Sequence, residues 1–260
     1  MTRKRKLSDE SPEGGDAMRQ RSAYQHKALL LALSVLLLPL GGCQPAVQDN
    51  TVRTHPFSLR DVVKSDTDKI LELQLRNSTR LLKQLMKKLY LRNPKYWRSA
   101  GFQTADNAVD WAFASRHREA VLRKCLQKKS IDSLQLAFDE TYQGDRVLAF
   151  VYGLYGMLND AYDNKTEFFL LDDLDPQRIY NATRNIEVAA WKLSHDRDTQ
   201  HQLFLVSNAL SGPVINLSFE RLFGKLVAIH DGNAEFIADK TNRRINYVIQ
   251  GVVRFVFLPI

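Results

Sequence analysis

Glu187 and His195 are the two side chains here whose acid and base character would suit hydrolysis, and both sit on one side of a helical pattern. In a run that reads as helix over 176–196, Tyr180, Arg184, Glu187, Trp191 and His195 fall within about 80° of arc on the 3.6-residue period. A merely solvated face would carry Lys, Glu and Gln; two large aromatics beside Arg, Glu and His demand a reason. Three readings compete. A second layer of helices covers the face, with Arg184 and Glu187 paired at i,i+3. The face lines a groove or partner surface, where Tyr, Trp and Arg are enriched. Or Glu187 and His195 form an acid–base site. The eight residues between those two span roughly 12 Å of helix axis, too far for direct proton transfer, so catalysis would need a large substrate or a third group.

Other chemistry-bearing residues point nowhere specific. His195, Asp196, Asp198 and His201 are metal-capable by type, but they straddle a helix end and match no standard ligand spacing. A solvated, turn-forming cluster is the better reading. Asp172, Asp173 and Asp175 lack the twelve-residue calcium-loop pattern and read as loop and cap residues. There is no Gly-x-Ser-x-Gly elbow, phosphate loop, His-Glu-x-x-His pair or Cys-x-x-Cys. No cofactor or metal is therefore expected. Cys125, on the apolar flank of 120–126, reads as a small core residue.

The elements that must position these residues are helices. Ser65 or Asp66 caps a helix over 67–92, with Pro94 as its stop. Thr104 caps 105–115, another helix covers 116–127, and Ser130 or Asp132 caps 133–142. The run 145–162 is apolar on most sides, which marks a central buried helix, and its Gly153 and Gly156 imply a close helix contact. Asp175-Pro176 opens 176–196, whose core stripe is Ile179, Ala182, Ile186, Ala189, Ala190 and Leu193. Two further helices, 214–229 and 234–257, complete an all-α, bundle-like domain of about seven or eight helices over 65–260. The segment 248–258 has a strand-like composition as its rival reading.

On the 67–92 helix, Leu71, Leu75, Leu82, Leu85, Met86 and Leu89 form one side. Lys69, Arg76, Arg80, Lys83 and Lys87 cluster within about 60° on the other. Like charges at i,i+4 cost a few tenths of a kcal/mol per pair, which anionic lipid headgroups would offset at about 1 kcal/mol per basic residue. A plain solvated face is the competing reading.

The first 42 residues are of another kind. Arg19, Arg21 and Lys27 precede an apolar run, 28–40, interrupted only by Ser34 among polar residues. That is too short for a hydrocarbon core, which takes about 20 residues, and it matches the apolar region of a secretory signal. Leu40-Gly41-Gly42-Cys43 closes it. In this the chain resembles bacterial lipoproteins, whose signal ends in a Leu, small residues and a cysteine. The resemblance implies that Cys43 becomes the N-terminus, carrying a thioether-linked diacylglycerol and an amide-linked acyl chain. At about 0.8 kcal/mol per buried methylene, that is a permanent anchor. Gln44, where Asp often retains such proteins in the inner membrane, implies the periplasmic leaflet of the outer membrane. Residues 1–17 are unlike an ordinary signal start, which makes Met18 a candidate translation start.

Residues 43–64 then form a lipidated tether; about twenty flexible residues span roughly 25 Å. Of the 37 Lys/Arg and 29 Asp/Glu, seven and four lie in the first 42 residues, leaving an excess of five positive charges. That does not argue for nucleic acid. Phe57-Ser58-Leu59-Arg60-Asp61-Val62-Val63, Tyr142-Gln143-Gly144-Asp145-Arg146 and Trp191-Lys192-Leu193-Ser194-His195-Asp196 are similar to stretches of a family of proteobacterial lipoproteins to which no activity attaches.

The expectation is an outer-membrane-anchored periplasmic protein acting as a binding, scaffold or adaptor protein, with an envelope protein or anionic lipid as partner, and more a binder than an enzyme. A periplasmic hydrolase using Glu187 and His195, and a carrier of an apolar ligand between helices, are the alternatives.

Overall fold

Ser65 opens the first helix with a reciprocal cap: its hydroxyl accepts the Asp68 amide while the Asp68 carboxylate accepts the Ser65 amide. The computed structural model describes residues 64–169, 173–208, 216–245 and 256–260. The signal 1–42, Cys43 and the rest of the tether before residue 64 lie outside the described residues. Among the described residues, no helix is long and apolar enough to cross a membrane.

Helix α1, Asp66–Arg92, buries Leu71, Leu82, Leu85, Met86 and Leu89 as its pattern predicts. Pro94, expected only to stop it, also starts the short α2, Pro94–Ser99, at a position where its missing N–H costs nothing. Thr104 caps α3, Ala105–Phe113. The expected helix 116–127 is a 3₁₀ turn, Ser115–His117, followed by α4, Arg118–Lys124. Left-handed backbones at Leu126 and Gln127 end it early.

Helix α5, Ser130–Leu136, begins three residues before the expected start and has no side-chain cap. The Ser130 hydroxyl instead donates to Asp160 across the helix pair. Asp145 caps α6, Arg146–Ala161, and Asp175 caps α7, Pro176–His195. The result is all-α: eight helices and no sheet among the described residues, with a lone bridge, Arg197 to Leu203, in a tight hairpin.

Helix α6 is the centre, touching α1, α5 and α7. It buries Val147, Leu148, Phe150, Val151, Leu154, Met157 and Leu158, each of which contributes about 1.5–3 kcal/mol. Gly153 is there for the reason its cost implied. A Cβ on it would stand 2.7 Å from the Leu134 amide nitrogen and 2.9 Å from the Ser130 carbonyl oxygen, so α5 packs backbone to backbone against it.

The C-terminal region departs from expectation. Where two helices, 214–229 and 234–257, were foreseen, α8 runs unbroken from Ser218 to Thr241, straight through Asp231-Gly232-Asn233. Tertiary contacts hold that weak stretch helical. Asp231 is ion-paired to Arg184, and Asn233 donates to Tyr162. Helix α8 ends at Asn242 in the left-handed conformation. Residues 246–255 lie outside the described residues, so the strand-or-helix alternative over 248–258 is met only at its end. There 256–260 is neither. It docks on α7: the Leu258 amide donates to Asn185 Oδ1 (2.6 Å) and Asn185 Nδ2 donates to the Leu258 carbonyl (2.8 Å).

Candidate functional site

The predicted α7 face divides in two. Arg184 bonds Asp231, while Glu187, Trp191 and His195 line a groove with Val227, Phe223 and Leu217, so α7 and α8 pack antiparallel. At the N-terminal half, α8 supplies the second layer. Tyr180 is buried, and the Arg184 guanidinium lies 5.1 Å above its ring. Its Nη2 donates to both Asp231 oxygens (2.8 and 2.7 Å), and Nη1 sits 2.9 Å from Glu187 Oε1. The i,i+3 pairing foreseen from sequence is thus present, with Asp231 as a third member that sequence did not reveal.

At the C-terminal half, side chains of the two helices and Asn208 line a groove of about 590 Å³. Its floor is Ala190, Phe223, Gly224 and Val227; Glu187, His195, Asn208 and Glu220 stand around it. Burial pushes the Glu187 carboxyl above its ordinary range, Arg184 pulls it back, and Asp231 adds to the rise. The His195 ring stacks on Trp191 at 4.7 Å and 9°. Its Nδ1 lies 2.9 Å from the Trp191 carbonyl oxygen, which fixes the proton on Nδ1. Ser194 has its hydroxyl committed to the Ala190 carbonyl (3.0 Å). Asn208 Nδ2 donates to Glu220 Oε1 (2.6 Å), and Asn208 Oδ1 is buried with no hydrogen-bond partner among the described residues. Swapping the amide would set its oxygen against a carboxylate, so the oxygen is the atom left over. A buried acceptor left unmade costs about 1–3 kcal/mol, which a donor arriving from outside would recover.

The metal-capable cluster disperses into structural roles. Asp196 pairs with Lys192 (2.7 Å), and Asp198 Oδ1 accepts the Gln200 and Gln202 amides (2.9 and 2.8 Å). Asp173 pairs with Arg243 (2.7 Å) and Asp175 caps α7; Asp172 lies outside the described residues. Among the described residues, no three His, Cys, Asp or Glu converge as metal ligands. Cys125 is fully buried in the core, its thiol pushed up to about 11 by that burial.

The basic face of α1 is largely answered from within the protein. Lys69 approaches Asp66 (3.8 Å), Arg76 approaches Glu72 (3.8 Å), and Lys87 pairs with Asp106 of α3 (2.7 Å). Lys83 lies over the Phe113 ring and Arg80 donates to Asn77. Such exposed pairs contribute about 0–1 kcal/mol each, enough to offset a like-charge penalty of a few tenths without any bound headgroup.

Sequence reasoning missed a buried network. His230, fully enclosed, has Ser78 Oγ 2.8 Å from Nε2 and the Tyr162 hydroxyl 2.8 Å from Nδ1. Asn233 Nδ2 donates to that same hydroxyl (2.7 Å), so Tyr162 gives its own proton to Nδ1 and the imidazole carries its proton on Nε2. Desolvation lowers the His230 pKa to about 3, which keeps it neutral. A serine beside a histidine invites a nucleophilic reading, but Ser78 and His230 are both enclosed in the core. They join α1, α6 and α8 instead. The residues come from positions 78, 162, 230 and 233, and no local pattern announces them.

The chain matches no protein-family model, no curated protein and no solved structure.

Proposed function

We propose that this is a lipid-tethered binding protein of the bacterial envelope, anchored through Cys43 in the periplasmic leaflet of the outer membrane. It holds its partner in the α7/α8 groove without covalent chemistry. The observation that carries the reading is the groove itself. An apolar floor is bordered by two carboxylates, Glu187 and Glu220, a stacked Trp191–His195 pair and an orphan acceptor on Asn208. That chemistry suits an apolar segment of an envelope protein bearing an N–H or cationic group.

Hydrolysis is the weaker alternative. Glu187 is engaged by Arg184, Ser194 by the backbone, and Glu187 and His195 stand two turns of helix apart. A carrier function has some support from the apolar floor, but the space is an open groove, not an enclosed cavity. Headgroup contact along Lys69, Arg76, Arg80, Lys83 and Lys87 would be an accessory to the anchor.

A photo-crosslinking amino acid at Leu217, exposed on the groove rim, tests this in the intact envelope. The expected result is a discrete adduct that Trp191→Ala abolishes and that the same probe at Glu119, on α4, does not give. Equal capture from both positions, or capture indifferent to Trp191→Ala, refutes the groove.

A further inference from the structure

The turn that joins α5 to α6 builds a second, quite different recess. Tyr142 folds back over Gly144 so closely that a Cβ there would stand 2.4 Å from its ring, and the Tyr142 hydroxyl donates to the Lys124 carbonyl (2.8 Å). Around this turn stand α2, the end of α4 and the 197–203 hairpin, lining an open cleft of about 850 Å³. That is within the range of about 300–1,000 Å³ typical of small-molecule sites. The hairpin wall is fixed, because buried Asn93 exchanges two hydrogen bonds with the Val206 backbone (both 2.9 Å).

The lining is polar and carries three cations. Lys95, Lys124 and Arg146 form no ion pair among the described residues. Arg146 is held in place by the Ala137 carbonyl (2.9 Å) and by the Phe204 ring, 5.0 Å away. Lys95 is poised 4.9 Å over the Tyr96 ring. Three carboxylates share the lining: Glu140 is exposed on the turn, and the other two are engaged by hydrogen bonds. Asp145 accepts the Leu148 amide and the Tyr90 hydroxyl, and Asp198 accepts two amides of its own turn. Asp145 also closes the N-terminus of α6, so an incoming anion must be met by the side-chain cations. Between them lie the amides Gln143, Gln200 and Gln202 and the half-buried Phe204 ring, with Tyr96 and Tyr142 buried behind.

An ammonium and a fixed guanidinium suit a carboxylate. Side-chain amides suit vicinal hydroxyls, and the Phe204 ring suits the C–H face of a sugar. We propose that this cleft binds an acidic oligosaccharide, its carboxylate between Lys95 and Arg146 and its hydroxyls on the three glutamines. This site is independent of the α7/α8 groove and of the anchor.

Calorimetric titration of the full-length chain in detergent with trigalacturonate, maltotriose and inorganic phosphate tests it. Trigalacturonate binds, and maltotriose binds at least about tenfold more weakly. Lys95→Gln weakens the acidic sugar about tenfold, the equivalent of ~1.4 kcal/mol for one charge-assisted hydrogen bond. Arg146→Lys, which keeps the charge but loses the fork, weakens it comparably. Lys225→Gln, the same charge change on the outer side of α8, leaves it unaltered. No heat with trigalacturonate overturns the proposal, as does equal affinity in Lys95→Gln or phosphate binding as tightly as the sugar.

Discussion

His230 makes the fold acid-labile in a calculable way. Burial lowers the folded imidazole to about 3; unfolded, it returns to the ordinary value of 6.5. A group whose folded pKa is depressed gives stability that is present above the unfolded value and lost as pH falls toward the folded one. Taking the chain from about pH 7.5 to about pH 5 protonates the unfolded imidazole almost fully and the folded one hardly at all. Integrating the proton difference over that interval gives a loss of about 2 kcal/mol, and any folded value below about 4 gives the same figure. The physical content is that a proton on Nδ1 would face the Tyr162 hydroxyl proton, which Asn233 has already forced in that direction. The assay is urea unfolding of the native chain and of His230→Gln at both pH values. Glutamine can still bridge Ser78 and Tyr162 but cannot titrate. Asp145 works the other way: burial raises its carboxyl, so it favours the fold at low pH and loses that contribution as pH rises. It is common to both proteins and cancels in the difference. The reasoning fails if the two chains lose equal stability on acidification, or if the folded imidazole titrates above pH 6 by NMR.

Gly153→Ala, which drives a methyl into the α5 backbone, should destabilise by about 1–3 kcal/mol. Gly224→Ala has open space and should stabilise α8 by up to about 1 kcal/mol, both read by thermal unfolding. Asn185→Ala removes both bonds to Leu258, so the Leu258 amide should lose its hydrogen-exchange protection while the α6 amides keep theirs. Asn93→Ala removes both bonds to the Val206 backbone and should loosen the hairpin wall, measurable as faster exchange over 197–206. Cys43→Ser should leave an uncleaved, unlipidated precursor; maturation to the native mass would dismiss the anchor.

Most of the helical framework was legible because it rests on local rules. The Ser65 cap, the Thr104 cap and the Asp175-Pro176 start are each written within a few residues. The apolar stripe of α1 and the all-round apolarity of α6 follow from period alone. What failed was set mainly by distant partners. Ser130 was read as a cap, but its hydroxyl turns to Asp160, thirty residues on. Asp231-Gly232-Asn233 looks like a break, yet Arg184 and Tyr162 lock it into α8. The mixed face of α7 is visible in the sequence, but its division between the Arg184–Asp231 pair and the groove depends on α8.

The polar residues missed share a logic that composition cannot expose. Asn93, Asn185 and His230 are each buried, and each joins a segment far off in sequence to a helix. An apolar residue of similar size could fill these places, but it would leave the Val206 and Leu258 backbone groups without partners. Removing the polar side chain therefore costs more than its own bond contributes, because the stranded group keeps its desolvation penalty. The Val206 linkage matters most for function. The stretch 197–208 walls the polar cleft with its hairpin and reaches the α7/α8 groove with Asn208, and Asn93 ties it to the corner between α1 and α2. One buried amide thus sets the position of a wall of the first recess and of the orphan acceptor in the second.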